Sequence, residues 1–409
     1  MQLPEEFVRE TRRVMGDERF EHYLHSFEEE TPVSIRLNPR KAVGMEVVAG
    51  ERVPWCGRGF YLPTRPNFTF DPLLHAGCYY VQEASSMFLD QVLRQYLPDR
   101  PVRMLDMCAA PGGKSTLARA VLPEGSVLYS NEPVRTRASV LAENMAKWGY
   151  EDFIVTCNYP RDYRKAKMRF DVILCDVPCS GEGMFRKDEA TIREWSAQNV
   201  EKCWRLQREI VEDAWACLND GGLMVYSTCT FNTKENEENI SWMLSEYDAE
   251  VLPVDVKPEW NITGSLLEGF TKPVYRFIPG LTKGEGLFLC VIRKAGIAPV
   301  STRVTASNQR GNRGLLHKLL PVTTAVTDGN CAHLSRVELS YQQAMAYLRH
   351  EALVLPDSTP RGIVEVCFED HALGLAKNIG TRANNLYPKE WKIKTTHIPN
   401  DYEAILRHT

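Results

Sequence analysis

Short apolar runs alternate with helix-like segments through the middle of this chain. Five runs are typical of buried strands, because each is short, apolar and followed by turn residues: 102–106, 127–131, 153–156, 172–175 and 223–227. Apolar residues at helical spacing lie between them: 115–121, 135–148 and 190–218. Strands that alternate with helices predict a doubly wound, Rossmann-like α/β sheet. Residues 287–292 favour a late strand of the same sheet, with an antiparallel orientation as one option.

The N-terminal residues have a different pattern. Residues 1–30 carry apolar side chains at helical spacing, and residues 34–38 alternate as a half-buried strand does. Residues 78–97 predict one amphipathic helix, which ends at Pro98. We therefore expect an N-terminal α+β accessory domain over residues 1–97, followed by the α/β domain over 98–297.

The C-terminal residues predict a third unit. Residues 298–330 are rich in Ser, Thr, Asn, Arg and Gly without periodicity, which favours a linker. Two strand-like runs follow, at 352–355 and 362–367, and predict a small β-rich domain over 331–409. Two or three domains also suit a chain of 409 residues.

Charge and cysteine content narrow the class of protein. A formal net charge of −4 argues against a protein that coats nucleic acid non-specifically, although a local basic groove stays possible. The twelve cysteines form no paired framework and no CxxC motif, which disfavours a structural zinc site. No apolar segment resembles a signal peptide or a membrane span. We expect a cytoplasmic monomer with reduced thiols, without a metal ion or a membrane partner.

A glycine turn follows the first strand of the predicted sheet. Residues 105–114 read Leu-Asp-Met-Cys-Ala-Ala-Pro-Gly-Gly-Lys, where Gly112 and Gly113 let the backbone approach a ligand and the next helix offers free amides. A P-loop is disfavoured, because Cys108 occupies its first glycine position. The second strand ends at Asn131-Glu132, where a carboxylate can accept hydrogen bonds from ribose hydroxyls.

Two cysteines follow two other predicted strands, in Asp176-Val-Pro-Cys179 and Ser227-Thr-Cys229. A thiolate that adds to C6 of cytosine makes C5 nucleophilic enough to accept a methyl group from a sulfonium donor. Asp176 is a candidate to hold a proton for ring nitrogen N3. Each cysteine alone would more often be a buried, inert thiol, but both together with the glycine turn favour this chemistry.

These motifs resemble a known family. Asp106-Met-Cys-Ala-Ala-Pro-Gly-Gly-Lys114, the Asp176-to-Asp188 segment and Ser227-Thr-Cys-Thr230 are similar to the Sun-type (Fmu-like) RNA cytosine-5 methyltransferases. Gly77-to-Phe88, Gly284-to-Phe288 and Asn384-to-Trp391 resemble the bacterial branch that modifies small-subunit ribosomal RNA. The resemblance covers nearly the whole chain and implies a PUA-like RNA-binding domain at its C-terminal end.

The resemblance also implies a role for individual residues. Cys229 would be the attacking thiol, Cys179 would assist product release, and Asp176 with Lys114 would contact the cytosine. The methyl donor S-adenosylmethionine would contact several residues of the glycine turn and the neighbouring strand ends: Cys108, Ala109, Ala110, Pro111, Gly112, Gly113, Lys114, Glu132, Asn158 and Asp176. At Asn158 many members carry an acid instead.

Basic residues near aromatic ones predict the RNA contacts: Arg186 and Lys187 beside the Cys179 loop, and Lys392 and Lys394 after Trp391. Because every reaction motif precedes residue 292, we expect the C-terminal domain to supply RNA affinity. Three alternatives stay open: a transfer RNA cytosine-5 methyltransferase, a DNA cytosine-5 methyltransferase with Cys179 as nucleophile, and a non-catalytic RNA-binding assembly factor.

Overall fold

The computed structural model describes residues 3–297, 334–395 and 398–409. The predicted linker at 298–330 lies outside these residues. Within the described ranges, no helix is long and apolar enough to cross a membrane. The same ranges contain no group of three or more His, Cys, Asp and Glu side chains arranged to hold a metal ion.

The N-terminal region combines helices with a small antiparallel sheet. Its elements are α1 (Glu5–Met15), α2 (Asp17–His25), β1 (Val33–Leu37), β2 (Met45–Val47), β3 (Glu51–Arg52), β4 (Gly59–Leu62), α3 (Pro72–His75) and β5 (Tyr79–Val81). The sheet order is β3-β4-β1-β5. The strand predicted at 34–38 is confirmed as β1, but its predicted half-burial is wrong, because all five residues of β1 are buried and both faces are covered. On one face the Arg36 guanidinium donates to Gln82 and Thr116.

The single helix predicted over 78–97 is also wrong. Residues 79–81 form β5, which pairs antiparallel with β1, and only α4 (Leu89–Tyr96) is α-helical. A short 3₁₀ turn, Ser85–Phe88, joins the two. The pairing with β1 satisfies the backbone of residues 79–81, which outweighs the helical spacing of their apolar side chains.

The central α/β unit follows the predicted alternation. Its strands are β6 (Arg103–Asp106), β7 (Val127–Asn131), β8 (Phe153–Thr156), β9 (Phe170–Asp176), β10 (Leu218–Thr228), β11 (Ala249–Leu252), β12 (Tyr275–Phe277) and β13 (Leu287–Lys294). Its helices after α4 are α5 (Gly113–Val121), α6 (Arg135–Trp148), α7 (Pro160–Lys165), α8 (Glu189–Glu194), α9 (Ala197–Cys217) and α10 (Glu237–Glu246). The long helix predicted over 190–218 is broken at Trp195-Ser196, where the Ser196 hydroxyl caps α9.

The sheet order is β11-β13-β10-β9-β6-β7-β8, with β12 beside β13. The strands from β8 to β10 are parallel, and β13 runs antiparallel to β10. One face packs against α4, α5 and α6, and the other against α7, α9 and α10. The predicted doubly wound α/β fold is therefore confirmed. The chain reverses its direction of winding between β6 and β9, the position where open α/β sheets bind ligands.

The C-terminal region is β-rich, as predicted. Its elements are β14 (Arg336–Glu338), α11 (Tyr341–Leu348), β15 (Gly362–Phe368), β16 (His371–Asn378), β17 (Ala383–Asn385) and β18 (Leu406–His408). The first four strands form one sheet in the order β14-β15-β16-β17. The strand predicted at 352–355 is reduced to an isolated bridge between Leu353 and Ala383.

The N-terminal and C-terminal regions share one apolar core. Strand β18 pairs antiparallel with β2, and buried residues such as Ile35 and Leu73 pack in the same cluster as Tyr347 and Leu406. Across the junction, a His371 ring nitrogen lies 2.7 Å from the backbone oxygen of Lys41. The C-terminal residues are thus anchored to the N-terminal region, through a separate two-stranded sheet of β2 and β18 and through the shared core.

Candidate active site

The two predicted thiols meet at the carboxyl edge of the sheet. Strands β9 and β10 are parallel neighbours, and Asp176 is aligned with Ser227. Cys229 follows β10 directly, and Cys179 lies in the loop after β9. The two sulfur atoms are 3.1 Å apart, and the Cys229 amide donates to the Cys179 sulfur at 3.3 Å. The contact with the Cys229 side chain, and secondly burial, raise the pKa of the Cys179 thiol well above its usual value, although the hydrogen bond from the Cys229 amide acts in the opposite direction.

Lys114 and Asp176 form an ion pair beside the thiols. The Lys114 ammonium donates to Asp176 Oδ2 at 2.8 Å, and the Ser227 hydroxyl donates to Asp176 Oδ1 at 2.7 Å. Burial is the largest influence and lowers the pKa of Lys114, but the charge and hydrogen bond of Asp176, together with the nearby Asp106 and Cys229, outweigh it, and the net shift of the pKa is upward. Both oxygens of Asp176 act as acceptors here. A proton for a ring nitrogen would therefore come from the Lys114–Asp176 pair rather than from an isolated carboxylic acid.

The glycine turn forms a cradle between β6 and α5. Gly112 adopts φ 115°, which favours glycine, and an added Cβ there would lie 3.2 Å from the Leu141 side chain. The Ala109 amide donates to the Asn131 carbonyl, which ties the turn to the end of β7. The backbone amides at the start of α5 face the same edge of the sheet as the thiols.

Asp106 lies beneath this cradle and is fully buried. Its Oδ2 accepts a hydrogen bond from the Ser115 hydroxyl at 2.7 Å, whereas its Oδ1 has no partner. Burial, and then the nearby charge of Asp176, raise the pKa of Asp106 to about 7. The folded state therefore holds this proton more tightly than the unfolded chain does.

Replacing Asp106 with Asn is expected to change how stability depends on pH. Wild-type stability should fall as the pH rises from about 4 to about 7, because the folded state resists ionisation of Asp106, and the penalty should stay constant above pH 7. Asp106→Asn removes this titration. The free energy of unfolding of the variant should therefore rise relative to that of the wild type, by on the order of a few kcal/mol over this pH range. Urea denaturation at several pH values measures the difference; a difference independent of pH would contradict this assignment.

Two further predicted residues lie at the ends of β7 and β8. Glu132 is buried; its Oε1 accepts from the Val134 amide, and its Oε2 lies 3.4 Å from Arg137. Asn158 is also buried, and its side-chain nitrogen has no hydrogen-bond partner. A buried amide group without a partner is costly, so this nitrogen is available to a ligand with an acceptor atom.

The four predicted RNA contacts differ in their exposure to solvent. Arg186 does not fit the prediction: its side chain is only 4% exposed and pairs with Glu285 at 2.9 Å, and it also donates to the Ser26 carbonyl. Because Arg186 donates to Glu285 and to the Ser26 carbonyl, it ties the loop after Cys179 to the turn that follows α2. Lys187, Lys392 and Lys394 are exposed, and their contact with RNA stays a prediction.

Sequence reasoning missed a network of buried polar side chains behind the thiols. Glu182, Gln207, Asn232 and Glu235 connect the Cys179 loop with the Cys229 loop through hydrogen bonds. The only signal in the sequence is the polar run at 232–239 directly after the Cys229 strand, which resembles an ordinary solvated loop.

Models of three protein families match this chain in consecutive parts. The N-terminal domain of 16S rRNA methyltransferase RsmF matches residues 3–84, 16S rRNA methyltransferase RsmB/F matches residues 95–293, and the methyltransferase RsmF PUA domain matches residues 334–393. The predicted Rossmann-like unit with a C-terminal PUA domain is thereby confirmed. The exact domain boundaries stay predictions.

Relatives and solved structures agree with these matches. The chain is 27% identical to ribosomal RNA small subunit methyltransferase F of Erwinia tasmaniensis and 30% identical to that of Salmonella arizonae, in each case over 95% of this chain and 96% of the relative. A methyltransferase homologue from Pyrococcus horikoshii has a TM-score of 0.61 at 27% identity, over 71% of this chain and 95% of that one. NSun6 from the same organism, solved with SFG, has a TM-score of 0.59 at 20% identity, over 72% and 99% of the two chains, and supports the fold alone.

The predicted resemblance is confirmed by the length and identity of these alignments. The chain belongs to the 16S rRNA methyltransferase RsmB/F family, in the branch of ribosomal RNA small subunit methyltransferase F.

Proposed function

We propose that this protein transfers a methyl group from S-adenosylmethionine to C5 of a cytosine in small-subunit ribosomal RNA, through a covalent adduct on Cys229. The observation that carries the proposal is the pair of thiols 3.1 Å apart, next to the Lys114–Asp176 ion pair, at the switch point of a methyltransferase sheet. Cytosine-5 chemistry needs a sulfur nucleophile and a group that stabilises charge at N3, and both are present at one edge.

The residues around the cradle fit the proposed methyl donor. Glu132 is buried at the end of β7, where its carboxylate can accept from ribose hydroxyls, and the partnerless nitrogen of Asn158 can donate to an adenine. Gly112 leaves room for the backbone to approach the donor. S-adenosylmethionine supplies an electrophilic methyl group when it is bound.

Each residue of the site then has a distinct task. Cys229 loses its proton and adds to C6, while the Lys114–Asp176 pair donates to N3 and stabilises the electron density that moves there. C5 becomes enamine-like and takes the methyl group. After C5 loses its proton to a base, the bond between C6 and the Cys229 sulfur breaks and the N3 proton returns to the Lys114–Asp176 pair. The Cys179 thiol, which retains its proton because of its raised pKa, donates to the departing sulfur.

The choice of RNA rests on the relatives and on the C-terminal region. The relatives are named for ribosomal RNA of the small subunit, and residues 334–393 match a PUA domain. Bisulfite sequencing of ribosomal and transfer RNA from a deletion strain tests the proposal, with wild-type and Cys229→Ala chains supplied back. One unmodified ribosomal cytosine that only the wild-type chain restores is expected. A loss confined to transfer RNA, or no loss, would refute it.

Replacing Glu132 with Ala is expected to weaken donor binding on the order of tenfold or more, because hydrogen bonds to charged groups are each worth roughly 1.5–3 kcal/mol. RNA affinity should hardly change, since Glu132 lies at the cradle and not beside the thiols. Titration calorimetry measures both affinities. Glu124→Ala is the matched control, because Glu124 is exposed just before β7, at the opposite end of the same strand. Unchanged donor affinity in Glu132→Ala would remove Glu132 from the donor site.

A further inference from the structure

Two buried glutamates lie behind the thiols, and each comes from one of the two cysteine loops. Glu182 follows Cys179 in the first loop, and Glu235 follows Cys229 in the second. Their side chains are buried, with exposures of 1% and 0%. The hydrogen bonds they accept all come from uncharged N–H groups, so their role is not that of ordinary ion-pair partners.

Glu235 reaches from its own loop into the Cys179 loop. Its Oε2 accepts from the Ser180 amide at 3.1 Å and from the Gln207 side chain at 2.6 Å. The same Gln207 nitrogen also donates to the Pro178 carbonyl at 2.9 Å. The residues on both sides of Cys179 are therefore fixed, directly or through Gln207, by a carboxylate from the other loop.

Glu182 makes the opposite connection. Its Oε2 accepts from the amides of Phe231 and Asn232, at 2.8 and 2.9 Å, which directly follow the Cys229 segment. In addition, the Gly183 amide donates to the Cys229 carbonyl at 2.9 Å. The backbone that presents Cys229 is thus held by residues of the Cys179 loop.

Asn232 joins the two carboxylates. Its side-chain nitrogen lies within hydrogen-bond distance of Glu182 Oε1, at 3.1 Å, and of Glu235 Oε1, at 2.8 Å. Its side-chain oxygen accepts from the Glu235 amide at 2.9 Å. The two glutamates and Asn232 therefore form one connected unit, which we name the carboxylate clamp.

We infer that Glu182 and Glu235 are positioning residues. The carboxylate of each cysteine loop accepts hydrogen bonds from the backbone of the other loop, and this holds the Cys179 and Cys229 sulfurs at reacting distance. This inference deepens the proposed function and rests on it, since it assigns the clamp to the reaction that uses both thiols. Both carboxylates are almost fully buried, so neither is assigned a contact with the RNA or the donor.

The hydrogen-bond partners of the clamp favour carboxylates at both positions. Every group that points at these oxygens is a donor, and a carboxylate offers acceptors on both oxygens, whereas an amide would place an NH₂ group against one of the donors. At Glu235 the ionised form is not favoured for stability, because burial and then the charge of Glu182 raise the pKa of this side chain to about 7. Glu235→Gln should therefore disturb the loops without unfolding the protein.

A thiol-bridging reaction tests the inference on the full chain. Dibromobimane becomes fluorescent when it links two neighbouring thiols, and peptide mass spectrometry identifies a link between Cys179 and Cys229. We expect this link to form at least fivefold more slowly in Glu182→Gln and Glu235→Gln than in the wild type. Glu246→Gln is the matched control, since Glu246 is exposed on α10, and Cys179→Ala gives the background from other cysteines.

Urea denaturation of the same variants separates positioning from general stability. Slower bridging with a free energy of unfolding equal to or above that of the wild type supports the inference. Bridging at the wild-type rate, or slowing only in proportion to lost stability, overturns it. Should a Gln variant fail to fold, Glu182→Asp and Glu235→Asp keep the charge but shorten the reach, and the same slowing is expected.

The bridging reaction needs neither RNA nor methyl donor, so its outcome is independent of the proposed function. Methyl transfer is measured in parallel. A wild-type chain that bridges normally but transfers no methyl group to RNA counts against the proposed function and leaves the clamp intact. Normal transfer by both Gln variants counts against the clamp alone.

Discussion

A chain in which Cys229 is replaced by Ala should form no covalent complex with RNA and transfer no methyl group. Without the Cys229 sulfur no bond to C6 can form, so C5 never becomes nucleophilic, and turnover should fall by on the order of a thousandfold or more. Donor binding should be unchanged, because Cys229 lies outside the glycine turn. A tritium-transfer assay and a denaturing gel with labelled RNA measure both results.

Cys179→Ala should fail at a later step. The adduct on Cys229 still forms and accepts the methyl group, but its release slows, because the neighbouring thiol no longer donates to the departing sulfur. A denaturant-resistant protein–RNA band should accumulate when donor is present. Cys203→Ala is the control, since Cys203 lies on α9 and is only partly exposed. Accumulation of the band in Cys229→Ala would reverse the two roles and favour the DNA-type alternative.

Removing residues 334–409 should destabilise the N-terminal region as well as weaken RNA binding. The apolar core of α3, β2 and β5 is shared with the C-terminal region. Uncovering even two or three of its large side chains would cost about 3–9 kcal/mol, a large part of the 5–15 kcal/mol that stabilises a typical domain. Circular dichroism with urea denaturation should show an early loss of structure, and a truncated chain as stable as the full one would contradict the shared core.

A pair of substitutions on β18 tests the same junction in the full chain. Leu406 is fully buried, whereas the side chain of its neighbour Arg407 is 65% exposed and pairs with Glu46 at the surface. Leu406→Gln should cost about 2–5 kcal/mol, as loss of a buried leucine usually does, and Arg407→Gln less than about 1 kcal/mol. Equal effects of the two substitutions would show that β18 does not support the fold.

The parallel sheet was predictable because its strands are buried on both faces and give unbroken apolar runs. The predicted strands 127–131 and 153–156 coincide with β7 and β8. The edge was predictable too, since Cys179, Cys229 and the glycine turn each follow a strand, and parallel strands end at the same side. Their separation of 3.1 Å could not be predicted, because it depends on the register of β9 and β10.

Errors arose where a long-range contact overrides a local pattern. Residues 79–81 have helical spacing, yet they pair with β1, which lies more than 40 residues earlier. Arg186 has the composition of an RNA contact, yet Glu285 buries it through an ion pair 99 residues away. The carboxylate clamp could not be predicted for the same reason: a glutamate in a polar run resembles a solvated residue, and only the folded loops show that its partners are backbone amides and uncharged side-chain N–H groups.

The pairing of β2 with β18 has a consequence for how the chain is made. The hydrogen-bonded pair Arg407–Glu46 spans 361 residues. At about 5–20 residues per second, the ribosome needs roughly 20–70 seconds between the two strands. During that time β2 has no strand partner and α3 lacks its contacts with the C-terminal region, which exposes the emerging polypeptide to chaperones and to wrong strand partners. Synthesis that stalls within the C-terminal region is therefore expected to yield aggregation-prone fragments rather than a soluble, truncated enzyme.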